Sequence, residues 1–151
     1  MKLPFRITRT ALWLWALPLT LCGLPLWCLM HVQQRRTGQK YVYNTTVAHI
    51  KQAQAAIVFI AYGNTAKWLL QRHPFGEMEA MAIGCCVFAQ DRACLDRTLA
   101  HELVHVQQAL HWGPFFPGAY ALNSVWQKCC GHCPYTNNYF ELQANDTVNK
   151  H

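Results

Sequence analysis

The residues "HELVH" at positions 101–105 place two histidines and a glutamate where they could act on one metal ion. His101 and His105 are four residues apart, so on a helix both imidazoles project from one face, one turn apart. This separation lets two ring nitrogens reach a single zinc ion. Glu102 lies beside the first of them, where a carboxylate can hold a metal-activated water and accept its proton. The pattern therefore predicts a zinc site with Glu102 as the general base.

The motif resembles that of the zincin metallopeptidases, whose subtypes differ in the third metal ligand. In the metzincin subtype a histidine six residues after the motif completes the site, and His111 stands at that position. However, Gln108 replaces the glycine that lets the backbone turn back toward the metal, and no methionine follows Met81. Since "QQAL" favours continuing the helix, we expect His111 to point to a different side.

The gluzincin subtype fits the chain better. There a glutamate on a second, downstream helix completes a His-His-Glu site. This resemblance implies that Glu141, in "YFELQAND" and 36 residues after His105, is the third ligand. In that subtype an acidic residue about one turn later orients a ligand histidine through its other ring nitrogen. Asn145 holds the one-turn position here and Asp146 is one residue further, so both are candidate supports for the ligands.

The stretch 94–146 looks like a small group of bacterial zincin-like proteins. The resemblance implies a minimal gluzincin-like α+β domain with Zn²⁺ as cofactor and a peptide or protein as substrate. Four residues could donate a hydrogen bond to the developing oxyanion: Tyr120, Tyr135, Tyr139 and His132. A zinc-binding membrane scaffold without catalysis, on the same fold, is the first alternative. A thiol oxidoreductase using Cys130 and Cys133 is the second, although Pro134 follows at once and no thioredoxin-like βαβ pattern surrounds the pair.

An apolar run at residues 10–32 contains no Asp, Glu, Lys or Arg, in a chain with 52% apolar and only 13% charged residues. About 20 apolar residues span a bilayer, and Trp13, Trp15 and Trp27 lie toward the ends of the run, where aromatic rings favour the interface. The run predicts a single-pass membrane anchor, with a cleaved signal peptide as the alternative. Basic residues flank both ends, so orientation stays open. The bacterial inner membrane is the expected location.

The formal charge of +6 is spread along the chain rather than clustered, so no nucleic-acid partner is expected. Six cysteines outside the apolar run permit either disulfides or free thiols. Charge and cysteine content therefore leave the metal motif as the main evidence for function.

The predicted fold is α+β: an N-terminal transmembrane helix followed by a small, mostly helical zincin-like domain with a short sheet. Its three parts are the anchor 1–32, a polar linker 33–46 and the metal-binding domain 47–151. The predicted elements of that domain are a helix within 47–70, one or two strands within 79–91, the motif helix from Asp96 or Thr98 to Trp112, a helix over 118–128 and a last helix capped by Asn137 or Asn138. The strand near 84–89 is expected to bind an extended substrate by edge pairing.

Overall fold

A computed structural model describes residues 9–37, 42–45, 57–73 and 76–149. Helices dominate, and a small four-stranded sheet lies among them. The elements in chain order are α1 (Arg9–Thr37), β1 (Val42–Thr45), β2 (Val58–Tyr62), α2 (Asn64–Gln71), β3 (Ala80–Ile83), β4 (Cys86–Ala89), α3 (Arg92–Trp112), a short 3₁₀ turn (Gly113–Phe115), α4 (Phe116–Cys129) and α5 (Tyr139–Asn149).

The strand order in the sheet is β1-β2-β4-β3. β2 and β4 pair in parallel, while the β1–β2 and β3–β4 pairs are antiparallel. The prediction of one or two strands within 79–91 is therefore confirmed, and there are two, β3 and β4. β4 lies inside the sheet with partners on both sides, so the expectation that residues 84–89 offer a free edge is wrong. The edge next to the motif helix is β3.

The predicted helix within 47–70 is wrong over its middle part. Residues 58–62 form β2, and only 64–71 are helical; residues 46–56 lie outside the described part of the chain. A short apolar run with branched and aromatic side chains fits a buried strand as well as a helix, and periodicity does not separate the two. Gly63, at φ 133°, ends the strand in a conformation that favours glycine.

The motif helix α3 begins earlier than predicted. Asp91 is its N-cap and accepts a hydrogen bond from the Cys94 amide at 2.8 Å. Asp96 and Thr98, the predicted caps, lie within the helix, where Asp96 pairs with Arg92. The helix ends at Trp112 as predicted, because Gly113 has a φ of 56°. The predicted cap of the last helix is confirmed: the Asn138 side chain accepts a hydrogen bond from the Phe140 amide at 2.9 Å.

Helix α1 is long and apolar enough to cross a membrane, and only 22% of its apolar window is buried within the protein. Its inner side nevertheless belongs to the core. Ala16 packs with β2, β4 and α3, while Trp27 and Met30 pack with α2 and the other side of the sheet. Thr20 Oγ1 accepts a hydrogen bond from the Cys85 amide at 3.1 Å. The apolar helix therefore contributes one side to the core of the folded domain and leaves another side uncovered.

Candidate metal centre

The imidazoles of His101 and His105 and the carboxylate of Glu141 converge between α3 and α5. The two Nε2 atoms are 3.0 Å apart. His101 Nε2 lies 3.1 Å from Glu141 Oε2, and His105 Nε2 lies 3.2 Å from Glu141 Oε1. Bonds of 2.0–2.2 Å to a tetrahedral zinc require ligand atoms about 3.3–3.5 Å apart, which is close to this spacing. This group could therefore hold a metal ion with small side-chain adjustments.

Gln108 determines which nitrogen of His105 carries the proton. The Gln108 amide donates to the Phe140 carbonyl at 3.0 Å, which orients its NH₂ toward α5 and its Oε1 toward His105. His105 Nδ1 therefore donates to Gln108 Oε1 at 2.8 Å. In the neutral imidazole the Nε2 lone pair then faces the Glu141 carboxylate, which is also an acceptor. A cation between these two groups satisfies both, so the donor set fits a metal ion.

Glu141 is only 3% exposed, and its partners keep it ionised. Burial raises the pKa of the Glu141 carboxyl, but hydrogen bonds from His101 and from the doubly protonated form of His105 outweigh burial and hold it well below the usual range. Burial lowers the pKa of His105, and the hydrogen bond and charge of Glu141 reverse that shift. Tyr120, on α4, donates a hydrogen bond to Glu141 Oε1 at 2.8 Å. Burial raises the pKa of Tyr120, so its hydroxyl stays protonated and remains a donor.

Glu102 lies beside the ligands and is 6% exposed. The Ala82 amide of β3 donates to its carboxylate. Its Oε2 atom is buried and has no hydrogen-bond partner among the described residues. Burial raises the pKa of the Glu102 carboxyl, which makes the group a stronger proton acceptor than an exposed glutamate. An unpartnered carboxylate oxygen next to three converging ligands is the arrangement that a general base for a metal-activated water requires.

A groove of about 510 Å³ opens at this site. β3 and the loop before it form one wall, and the other lining residues come from α3, from α5 and from Tyr135 in the turn before α5. His101, Glu102, Ala80, Arg97, Tyr135 and Asn145 are among its lining residues. Of the four candidate oxyanion donors, only Tyr135 lines this groove. Tyr120 is engaged with Glu141, Tyr139 is exposed on another surface, and His132 bonds to Gln127 on an exposed turn.

The converging ligand group includes none of the remaining predicted site residues. His111 is exposed, and its Nδ1 bonds to the Gln107 carbonyl of its own helix. Asn145 and Asp146 are exposed, and the hydrogen bonds that the described residues make to His105 include neither of them. Cys130 and Cys133 lie on an exposed turn, and all eight cysteines have free thiols.

The supporting roles of Gln108 and Tyr120 were not predicted from the sequence, where Tyr120 was a candidate oxyanion donor instead. Gln108 follows His105 by three residues, so helical spacing alone places the two side chains on one face. Tyr120 has no such signal, because its position depends on how α4 packs against α5.

Comparison with known proteins gives no match among family models, curated proteins or solved structures. The geometry of this site is therefore the main evidence for function.

Proposed function

We propose that this protein is a zinc-dependent metallopeptidase with a gluzincin-like site. The observation that carries the proposal is the convergence of His101, His105 and Glu141 beside the buried carboxylate of Glu102. When bound, zinc would supply Lewis acidity that polarises the scissile carbonyl and lowers the pKa of water. Glu102 accepts the proton of that water and passes it to the leaving amine. Tyr135, on the groove wall, is the oxyanion donor that the lining residues favour.

The edge strand β3 gives a place for a peptide substrate. Ala82 directs its amide toward Glu102, away from β4. Polar groups of alternate residues in a strand point to the same edge, so those of Ala80 also face the groove, which Ala80 lines. An extended peptide can add a strand at such an edge and present its backbone to the metal centre. We therefore infer an extended peptide or protein segment as the substrate class.

The first test is metal content of the purified full chain, measured by mass spectrometry. The full chain is needed because α1 contributes to the core. We expect one zinc per chain in the wild type, loss of zinc in His105→Ala and much weaker binding in Glu141→Ala. His111→Ala is the matched control, since this histidine is on the same helix but outside the ligand cluster. Zinc binding that survives Glu141→Ala, or a folded wild type without zinc, would refute the proposed site.

Catalysis is tested separately with the zinc-loaded chain and a library of fluorogenic peptides. We expect hydrolysis that Glu102→Gln reduces by about 10²–10⁴-fold without removing zinc. Stoichiometric zinc without hydrolysis of any peptide, together with a Glu102→Gln protein that behaves normally in cells, would favour the scaffold alternative.

A further inference from the structure

Helix α4 has two faces of different kinds. Phe116, Tyr120 and Ser124 lie on the side that packs toward α5 and the metal centre. On the opposite side Leu122 and Trp126 are 74% and 63% exposed. Lys128, in the last turn, is the one charged residue in the helix sequence. An exposed helix face of a water-soluble domain ordinarily carries many more charged residues. Water is therefore a poor environment for this side of α4.

The uncovered side of α4 belongs to a larger apolar area. Residues before and after the helix extend it, and a shallow cavity of about 480 Å³ lies among them. We call this area the aromatic surface, and its exposed members are Trp112, Phe115, Leu122, Val125, Trp126 and Tyr139. Four of the six are aromatic. A contiguous exposed patch of this kind marks an interaction site more often than a solvated face.

The aromatic surface is continuous with the uncovered side of α1. The Phe115 ring lies 5.9 Å from the indole of Trp15, and Gly113 packs directly against that indole. Trp15 is 44% exposed and its neighbour Leu14 is 57% exposed. Among the described helices, α1 alone has the length and apolarity to cross a membrane. A bilayer that covers the outer side of α1 therefore reaches the aromatic surface without a gap.

We propose that the aromatic surface docks into the interfacial region of a lipid bilayer, at the level of the N-terminal end of α1. Tryptophan and tyrosine favour this region because their rings have an apolar body and a polar tip. Lys128 and the net positive charge of the chain favour anionic headgroups beside the surface. The protein then has two contacts with the membrane, the apolar helix α1 and the outer side of α4.

This docking has a structural consequence for the metal centre. Tyr120 and Trp126 are on opposite sides of the same helix, and Tyr120 bonds to Glu141. The bilayer would therefore support the helix that orients a metal ligand. The proposal does not depend on peptidase activity, since it concerns a surface outside the groove.

The test measures the environment of single tryptophans in the full chain, reconstituted into vesicles of phosphatidylcholine and phosphatidylglycerol. The fluorescence of Trp126 is obtained as the difference between the wild type and Trp126→Phe. Trp68 is the matched control, because it is 57% exposed on α2 and stacks under the charged Arg72 guanidinium, 4.9 Å away. Its fluorescence is obtained in the same way from Trp68→Phe.

We expect brominated phosphatidylcholine to quench most of the Trp126 emission, and aqueous iodide to leave it largely unquenched. Trp68 should show the reverse pattern. Equal quenching of both tryptophans by iodide, with no effect of the brominated lipid on Trp126, would overturn the proposal. Protection of Trp126 from both quenchers, together with a cross-linked dimer that is lost in Trp126→Phe, would also overturn it and assign the surface to a second copy of the chain.

Discussion

Replacing Gln108 by alanine is predicted to weaken zinc binding, although Gln108 touches no metal. Gln108 is only 5% exposed. Its side chain accepts one hydrogen bond from His105 and donates two to residues of α5. The acceptor for His105 Nδ1 holds the imidazole in the tautomer and orientation that direct Nε2 at the metal. Loss of such a partner commonly lowers metal affinity about 10–100-fold, and we expect an effect in that range.

The same substitution should destabilise the metal-free protein. Each buried hydrogen bond contributes about 1 kcal/mol net, and truncation leaves the His105 Nδ1–H and the Phe140 carbonyl without these partners. We therefore expect the free energy of unfolding to fall by about 2–4 kcal/mol. Urea denaturation of the metal-free protein measures this change, since bound zinc would add its own stabilisation. Competition with a chromophoric chelator measures the zinc affinity.

Two variants separate the role of Gln108 in orientation from its role in packing. Gln107→Ala makes the same chemical change on the adjacent position of α3 and should leave the zinc affinity nearly unchanged. Gln108→Glu keeps an acceptor for His105 but loses both donors toward α5. It should retain zinc affinity while still lowering the free energy of unfolding. If Gln108→Ala weakens zinc no more than Gln107→Ala does, the proposed orientation of His105 by Gln108 is incorrect.

Glu102→Gln should keep zinc but reduce kcat/KM by about 10²–10⁴-fold; loss of zinc in metal analysis would instead show that Glu102 supports the ligands. Gly84→Ala should lower the free energy of unfolding more than Gly131→Ala does. Both glycines have positive φ, but only Gly84 packs against the α1 backbone. Equal losses of unfolding free energy in urea denaturation would contradict the packing of α1 on this turn. Hydrogen bonds from Thr136 lower the pKa of the exposed Cys133 thiol, whereas burial raises that of Cys86 to about 12. Iodoacetamide should therefore modify Cys133 at lower pH than a normal thiol and leave Cys86 unmodified in the folded protein at pH 8.5. Peptide mass spectrometry measures both modifications. Early modification of Cys86 would contradict its burial.

Local geometry explains why much of the candidate site could be predicted. Two histidines four residues apart must share a helix face, whatever the rest of the chain does. The ends of two helices could be predicted in the same way. Gly113 favours the positive φ that ends α3, and Asn138 favours the N-cap position of α5. Glu141 was predicted as the third metal ligand from the resemblance to the gluzincin pattern. The structure brings its carboxylate next to both histidines.

Features that depend on long-range packing were not predictable in this way. The apolar pattern of the β2 residues does not distinguish a strand from a helix. Their pairing with β4 makes the segment a strand. The free edge could not be assigned to β3 before the strand order was known. Tyr120 reaches Glu141 only because α4 folds back along α5.

Helix α1 illustrates the limit most clearly. Its sequence determines that the segment is helical and must leave water, because it contains no charged side chain over residues 10–32. Lipid tails and protein interiors are both apolar, so hydropathy alone does not say which of them covers each side. Only the tertiary structure shows that Ala16, Thr20 and Trp27 pack inside the domain while Leu14 and Trp15 stay uncovered. That division follows from which side of α1 the sheet and α3 occupy, and it is set by contacts between residues far apart in the chain.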